Sequence, residues 1–302
     1  MTDRIGTGLL LVASVSLALV AQATAASTRP ATRLAPRLAA HTEGFTGQGF
    51  DTCEIPSLAA LQAWFLASPY RAVNLYIGGS GRTCSNKALN AELLANLDAI
   101  GWKFIPTWVG LQAPCYTGNK PRMSTDPATA HAQGVTEASA AIKTAIDLGL
   151  AAADGSGSII YFDMEHYASE DPTCDDPVRA FVSGWTGELH ARGNLAGAYG
   201  NAHALTGFAS IANVPDAVWP ARWLYFSYNP TVTVWDVPDL SPTLWASHQR
   251  IWQYAGGHNE TWGGVTLNID CDVIDGIVAT VTPAELTHKV HLPAIVRDSV
   301  AP

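Results

Sequence analysis

Ile159-Ile160-Tyr161-Phe162-Asp163-Met164-Glu165 joins a short apolar run to two acids two residues apart. Side chains alternate along a strand, so Tyr161, Asp163 and Glu165 share one face while Phe162 and Met164 share the other. Residues on one face step by roughly 6.6 Å, twice the strand rise. If Phe162 and Met164 face helices, the two acids face the mouth of a sheet closed on itself. A lone acid at a strand end usually caps a loop. Two acids on one buried face cost energy together, which favours a functional reading.

Similar short runs recur on both sides of this segment. Strands are expected over Gly47–Cys53, Ala72–Ile77, Lys103–Val109, Ser158–Met164, Leu195–Tyr199, Trp223–Tyr228, Arg250–Tyr254 and Thr266–Val273. Helical stretches lie between them. Ser57–Leu66 opens on a capping residue. Asn86–Ile100 ends at Gly101, and Ala128–Leu148 at Gly149. Asp176–Arg192 places Pro177 in its first turn and Gly193 beyond its end. Ala202–Ile211 is shorter. Val214–Pro220 and Asn229–Thr243 are Pro-rich and read as loops. Eight strands alternating with helices predict an α/β fold, a parallel (β/α) TIM-like barrel with some outer helices replaced by loops. A doubly wound open sheet is the alternative, but no GxGxxG or phosphate-binding loop follows the first strand.

In a parallel barrel the chemistry sits at the C-terminal strand ends. Acids occur at the first such end (Asp51), the fourth (Asp163 and Glu165) and the last (Asp270 and Asp272). Alternation puts Asp270 and Asp272 on one face and sends Cys271 outward, beneath a helix, as the natural unpaired thiol. Acids crowded round one mouth repel, so one of them can stay protonated near neutral pH. Glycoside cleavage needs such a proton donor beside a second carboxylate. Tyr76, Trp108, Tyr161, Tyr199 and Trp252 lie near strand ends and could stack on sugar rings. Taken singly, each of these aromatics is more often a core residue than a sugar platform.

The 302 residues carry 17 Lys+Arg against 26 Asp+Glu, a net charge of -9, with 48% hydrophobic and 14% charged residues. That composition excludes a disordered chain and argues against nucleic-acid binding, which needs clustered cations. Residues 1–26 read as an export signal: Arg4, an apolar stretch from Gly8 to Val20, and Ala23-Thr24-Ala25 before a cut near Ala25 or Ala26. Residues 27–44 are expected as an extension, 45–280 as the barrel and 281–302 as a tail. Export makes disulfides plausible among Cys53, Cys84, Cys115, Cys174 and Cys271, but five cysteines allow fifteen patterns of two bridges. No cysteine or histidine spacing suggests a metal site, so neither metal nor cofactor is expected, and no membrane association after cleavage.

Gly49-Phe50-Asp51, Tyr76-Ile77-Gly78-Gly79, Ile159 to Glu165, Gly197-Ala198-Tyr199-Gly200, Ile251-Trp252-Gln253-Tyr254 and Asp270-Cys271-Asp272 follow one another in this order. The series resembles the secreted glycoside-hydrolase-like family catalogued as domain of unknown function 1906. More distantly it is similar to the family 25 lysozymes. The match spans about residues 46–280. The resemblance implies an incomplete (β/α) barrel with an acidic pocket at its C-terminal face. It also implies that Asp51, Asp163, Glu165 and either Asp270 or Asp272 form the site, with Glu165 as general acid. Phe50-Asp51-Thr52-Cys53 and the loop cysteines depart from the lysozyme pattern, which leaves the substrate open.

The expected function is therefore a secreted glycoside hydrolase acting as a monomer on a cell-wall or extracellular polysaccharide. Glu165 and Asp163 would be catalytic. Asp51, Tyr76, Trp108, Tyr161, Tyr199, Asn201, Trp252, Gln253, Asp270 and Asp272 would bind substrate. Two alternatives stand beside it. One is a barrel that binds a glycan without cleaving it. The other is a metal-dependent phosphodiesterase using the same acids as oxygen ligands.

Overall fold

The structure, a computed structural model, describes Thr2 and residues 40–281. The expected export signal over residues 1–26 lies outside the described residues save for Thr2. So do residues 27–39 of the extension and 282–302 of the tail. Residues 40–281 fall within one compact unit.

Eight strands form a closed ring in sequence order, with five helices between the early ones. The order is β1 (Thr42–Asp51), α1 (Leu58–Ala67), β2 (Tyr70–Gly78), α2 (Ala91–Ile100), β3 (Lys103–Trp108), α3 (Pro127–Asp147) and β4 (Ile159–Asp163). Then come α4 (Pro172–Ala191), β5 (Leu195–Gly200), α5 (Ala202–Phe208), β6 (Ala217–Pro220), β7 (Arg250–Trp262) and β8 (Val265–Ala279). This is the α/β, TIM-like architecture expected from the sequence, and no helix stands between β6 and β7.

The ring is not parallel throughout. β1 to β7 pair parallel, but β8 runs antiparallel to both β7 and β1. The cause is local. Gly263 and Gly264 have φ of 58° and 78°, so Trp262 and Val265 are joined by a two-residue hairpin turn that only residues free of Cβ adopt cheaply. Without a crossover helix, the last strand must return beside the one before it. β1 begins at Thr42, inside the expected extension, because Thr42–Gly44 pair with Ile277–Ala279 of β8.

The expected strand at Trp223–Tyr228 is instead an exposed loop. Its place in the ring is taken by Ala217–Pro220, part of the Pro-rich stretch expected to be a loop. This short strand is buried throughout. It sends the Trp219 indole into the ring to donate to Asp272 Oδ1 at 2.8 Å. α4 begins a turn before Pro177, at Pro172, where Asp171 caps Thr173 N and the Cys115–Cys174 disulfide ties down the first turn.

Parity holds on β4. Phe162 points outward onto Phe181 and Trp185 of α4, at ring separations of 4.8 and 5.1 Å. Tyr161 points inward, and its hydroxyl crosses the ring to donate to Ile277 O at 2.7 Å. Buried aromatic and aliphatic side chains fill the ring and the layer beneath the helices. That packing fixes the strand ends on which the polar groups sit.

Candidate active site

β4 ends at Asp163, and Glu165 follows on the same face. A buried glutamine from the β3–α3 loop holds this turn. Gln112 Nε2 donates to Asp163 O at 2.9 Å and Gly110 O at 3.2 Å, while its Oε1 accepts from Glu165 N at 2.8 Å. One amide thus fixes the backbone on both sides of Met164. Lys120 Nζ lies 3.6 Å from Glu165 Oε1 and donates to Gly81 O at 3.0 Å. Asp163 is buried, and its Oδ1 has no partner. Burial, and then the neighbouring charge of Glu165, push its carboxyl up to about 8, against a smaller downward pull from Lys120. At neutral pH the carboxylate pair therefore retains a proton.

Opposite, β1 and β8 place Asp51 and Asp270 as direct cross-strand partners. Gln253 of β7 bridges them, its Nε2 donating to Asp51 Oδ2 at 2.6 Å and Asp270 Oδ2 at 3.3 Å. Tyr76 OH donates to Asp51 Oδ1 at 3.2 Å. Tyr199 OH and Trp223 Nε1 both donate to Gln253 Oε1, at 3.1 and 2.8 Å. Burial, and then the charge of Asp270, hold Asp51 well above the usual carboxylate range. Asp270 is also raised by burial, although the Gly257 amide and Asp51 hydrogen-bond to it.

Asp51, Tyr76, Asp163, Glu165 and Asp270 line one open cleft of about 390 Å³ at the strand ends. Of Asp270 and Asp272 on β8, Asp270 lines this cleft and Asp272 does not. Asp272 sits deeper in the ring, on the Trp219 indole, with its second oxygen unpartnered. Gln253 and Tyr199 stand immediately behind the cleft wall. Asn201 caps α5 through Ala204 N at 2.9 Å and lines a neighbouring hollow.

Three expected sugar-binding aromatics are placed elsewhere. Trp108 lies outside the ring, its indole N–H on Glu137 of α3. Trp252 also lies outside, donating to Arg222 O at 3.0 Å. Tyr161 is sealed within the ring. Parity explains the first two: Thr107 and Gln253 face inward, so their neighbours face outward.

Sequence reasoning missed Gln112, Lys120, Arg82 and Trp223, which come from loops that carry no periodic signal. Two disulfides brace these loops. Cys53–Cys84 joins the ends of β1 and β2 beside the cleft, and Cys115–Cys174 joins the β3–α3 loop to α4. Cys271 is free and buried, facing outward as expected, and burial pushes its thiol up. Its Sγ lies 3.1 Å from Tyr70 OH. His258, Glu260 and Cys271 offer three ligand atoms within 4.8 Å of one another. Glu260 there already accepts from Tyr228 N, His258, Tyr70 and Trp262, which makes the group a hydrogen-bonded strut of the hairpin. Among the described residues the cleft acids form no comparable ligand cluster. Two disulfides fit an extracellular protein, and no described helix is long and apolar enough to cross a membrane.

The family model described as Rv2525c-like, glycoside hydrolase-like domain matches residues 62–274. An uncharacterized B. stearothermophilus protein is similar in structure, with a TM-score of 0.50 and 16% identity over 75% of this chain and 95% of its own. The catalytic domain of endolysin ply40, from bacteriophage P40 of Listeria monocytogenes, aligns with a TM-score of 0.42 at 13% identity, over 77% and 94% of the two chains. A GH18 chitinase from Pseudoalteromonas aurantia aligns at 0.39 and 11%, over 68% and 78%. No curated protein matches the sequence.

Proposed function

For this chain, which belongs to the Rv2525c-like glycoside hydrolase-like family, we propose hydrolysis of glycosidic bonds in a cell-wall or extracellular polysaccharide. The observation that carries the reading is the Asp163–Glu165 pair facing Asp51 and Asp270 across one open cleft. Glycoside cleavage asks for a proton donor and a second carboxylate beside one bond. Asp163 holds the pair's proton and passes it by way of Glu165, the more exposed of the two, to the leaving oxygen as the glycosidic bond breaks. The carboxylate left behind faces the positive charge growing on the sugar ring, and a water then attacks that carbon and returns its proton to the pair. Asp51 and Asp270, braced by Gln253, bind sugar hydroxyls. The export signal over residues 1–26 would deliver the enzyme outside the cell, where its disulfides persist.

One observation keeps a second reading. Lys120 already pairs with Glu165, and Gln253 already spans Asp51 and Asp270. In that reading the cleft retains a glycan without cleaving it. The test is to incubate the purified protein with peptidoglycan, arabinogalactan and α-glucans and to measure released reducing ends, with Glu165→Gln as the paired control. Release that falls by about 10²–10⁴-fold in the variant supports hydrolysis. Full release by Glu165→Gln overturns the assignment, and retention of a glycan without release favours the binder.

A further inference from the structure

Beside the acidic cleft lies a second hollow of about 420 Å³, lined among others by Tyr199, Asn201, His203 and Arg222. Both hollows are in the size range of small-ligand sites. Just two residues, Glu165 and Trp223, line both. They stand where one hollow meets the other.

Trp223 is 60% exposed, yet its ring is fixed. Its indole N–H is bound to Gln253 Oε1 at 2.8 Å. The ring also lies against Gly256, where an added Cβ would come within 2.4 Å of Trp223 Cε2. An exposed aromatic ring that is held rather than free is pre-organised for stacking, because little side-chain entropy is lost on binding. The neighbours continue the apolar rim, with Phe226 93% exposed.

The second hollow is built to hold a polar, uncharged ligand. Asn201 Oδ1 is used in capping α5, but its Nδ2 is buried with no partner. Arg222, exposed on the lining of the same hollow, offers guanidinium donors for hydroxyls. Arg222 shares the lining with two acids, Asp239 and Glu165, a balance that disfavours a polyphosphate or a strongly acidic polymer. The acidic cleft is similarly mixed, with Arg82 and Lys120 among its carboxylates.

We propose that a linear polysaccharide lies across both hollows, stacked on Trp223, so that the bond presented to Glu165 is an internal one. This rests on the glycan-cleaving reading above. An enzyme that trims chain ends needs space on one side of the bond to be closed. Here sugar units on both sides of Glu165 have a place to sit.

The test measures binding of oligosaccharides of two to eight units, drawn from peptidoglycan glycan strands, arabinogalactan and α-glucan, by calorimetry on Glu165→Gln. Affinity is expected to climb with length until both hollows are filled. Adding Trp223→Ala should cost about tenfold on the longest oligomer and flatten the length dependence, and Trp223→Phe should recover part of it. With wild type, polymer viscosity should fall well before reducing ends accumulate. Affinity that saturates at two units, indifference to Trp223→Ala, or products released from chain ends alone would overturn the inference. Failure of every oligosaccharide to bind would overturn it too. Binding that depends on length and on Trp223, with no products from wild type, would sustain this inference while refuting hydrolysis. End-only products would do the reverse.

Discussion

Asp163 allows a test that needs no substrate. Its carboxyl is raised from an ordinary 3.8 to about 8 by burial and by Glu165. Between those values the folded state binds a proton that the unfolded state has released. Stability attributable to this group is therefore fully present below pH 4 and is lost as pH rises toward 8. The slope is about 1.4 kcal/mol per pH unit across the window, an upper value because the unsatisfied carboxylate can recruit water as it ionises. Asp163→Asn keeps the size and removes the ionisation, so its stability should lack this slope. With roughly 2–4 °C of melting temperature per kcal/mol for a domain of this size, the variant should gain on wild type by several degrees between pH 5 and 8. The measurement is thermal unfolding by circular dichroism at pH 5, 6, 7 and 8 for both proteins. Acids that do not act on Asp163 contribute about equally to each and cancel in the difference. Parallel curves, or a variant that falls behind wild type as pH rises, would refute the protonated Asp163 and the proton donor drawn from it.

Two further outcomes concern the scaffold. Gln112→Ala removes the amide that fixes the backbone at Asp163 and Glu165. It should cost about 2 kcal/mol, read as a melting temperature lower by about 4–8 °C. Replacing both Cys115 and Cys174 by Ser opens a bridge between residues 59 apart in sequence. By loop-closure entropy this should cost about 4 kcal/mol, measured by urea unfolding, whereas mutating the buried free Cys271 to Ser should leave the disulfide count by mass spectrometry unchanged.

Much of the ring was legible in the chain. Ile159 to Glu165 displayed both its strand and its parity, because alternation is a property of a few consecutive residues. Ser57 announced a helix start and Gly101 a helix end, because capping acts within one turn. The outward turn of Cys271 followed from the same alternation. Trp108 and Trp252 lie outside the ring because each is one residue from an inward-facing side chain, Thr107 or Gln253. The direction of β8 was written in Gly263-Gly264, a hairpin signal that the expectation of repeated crossovers overrode. Trp223 to Tyr228 had the aromatic content of a strand, but it lies on the rim, and nothing local distinguishes an exposed aromatic loop from a buried strand.

The sequence by itself determined the alternation of elements, the side of each strand that carries its acids, and the candidate pair Asp163 and Glu165. All of these depend on interactions within a few residues. Only the tertiary structure decided that Asp270 rather than Asp272 reaches the cleft, that Gln253 joins Asp51 to Asp270 across 202 positions of sequence, and which cysteines pair. Closing the ring sets the depth at which each strand ends and which loops meet above it. That register results from packing the whole core at once, so no single segment carries it.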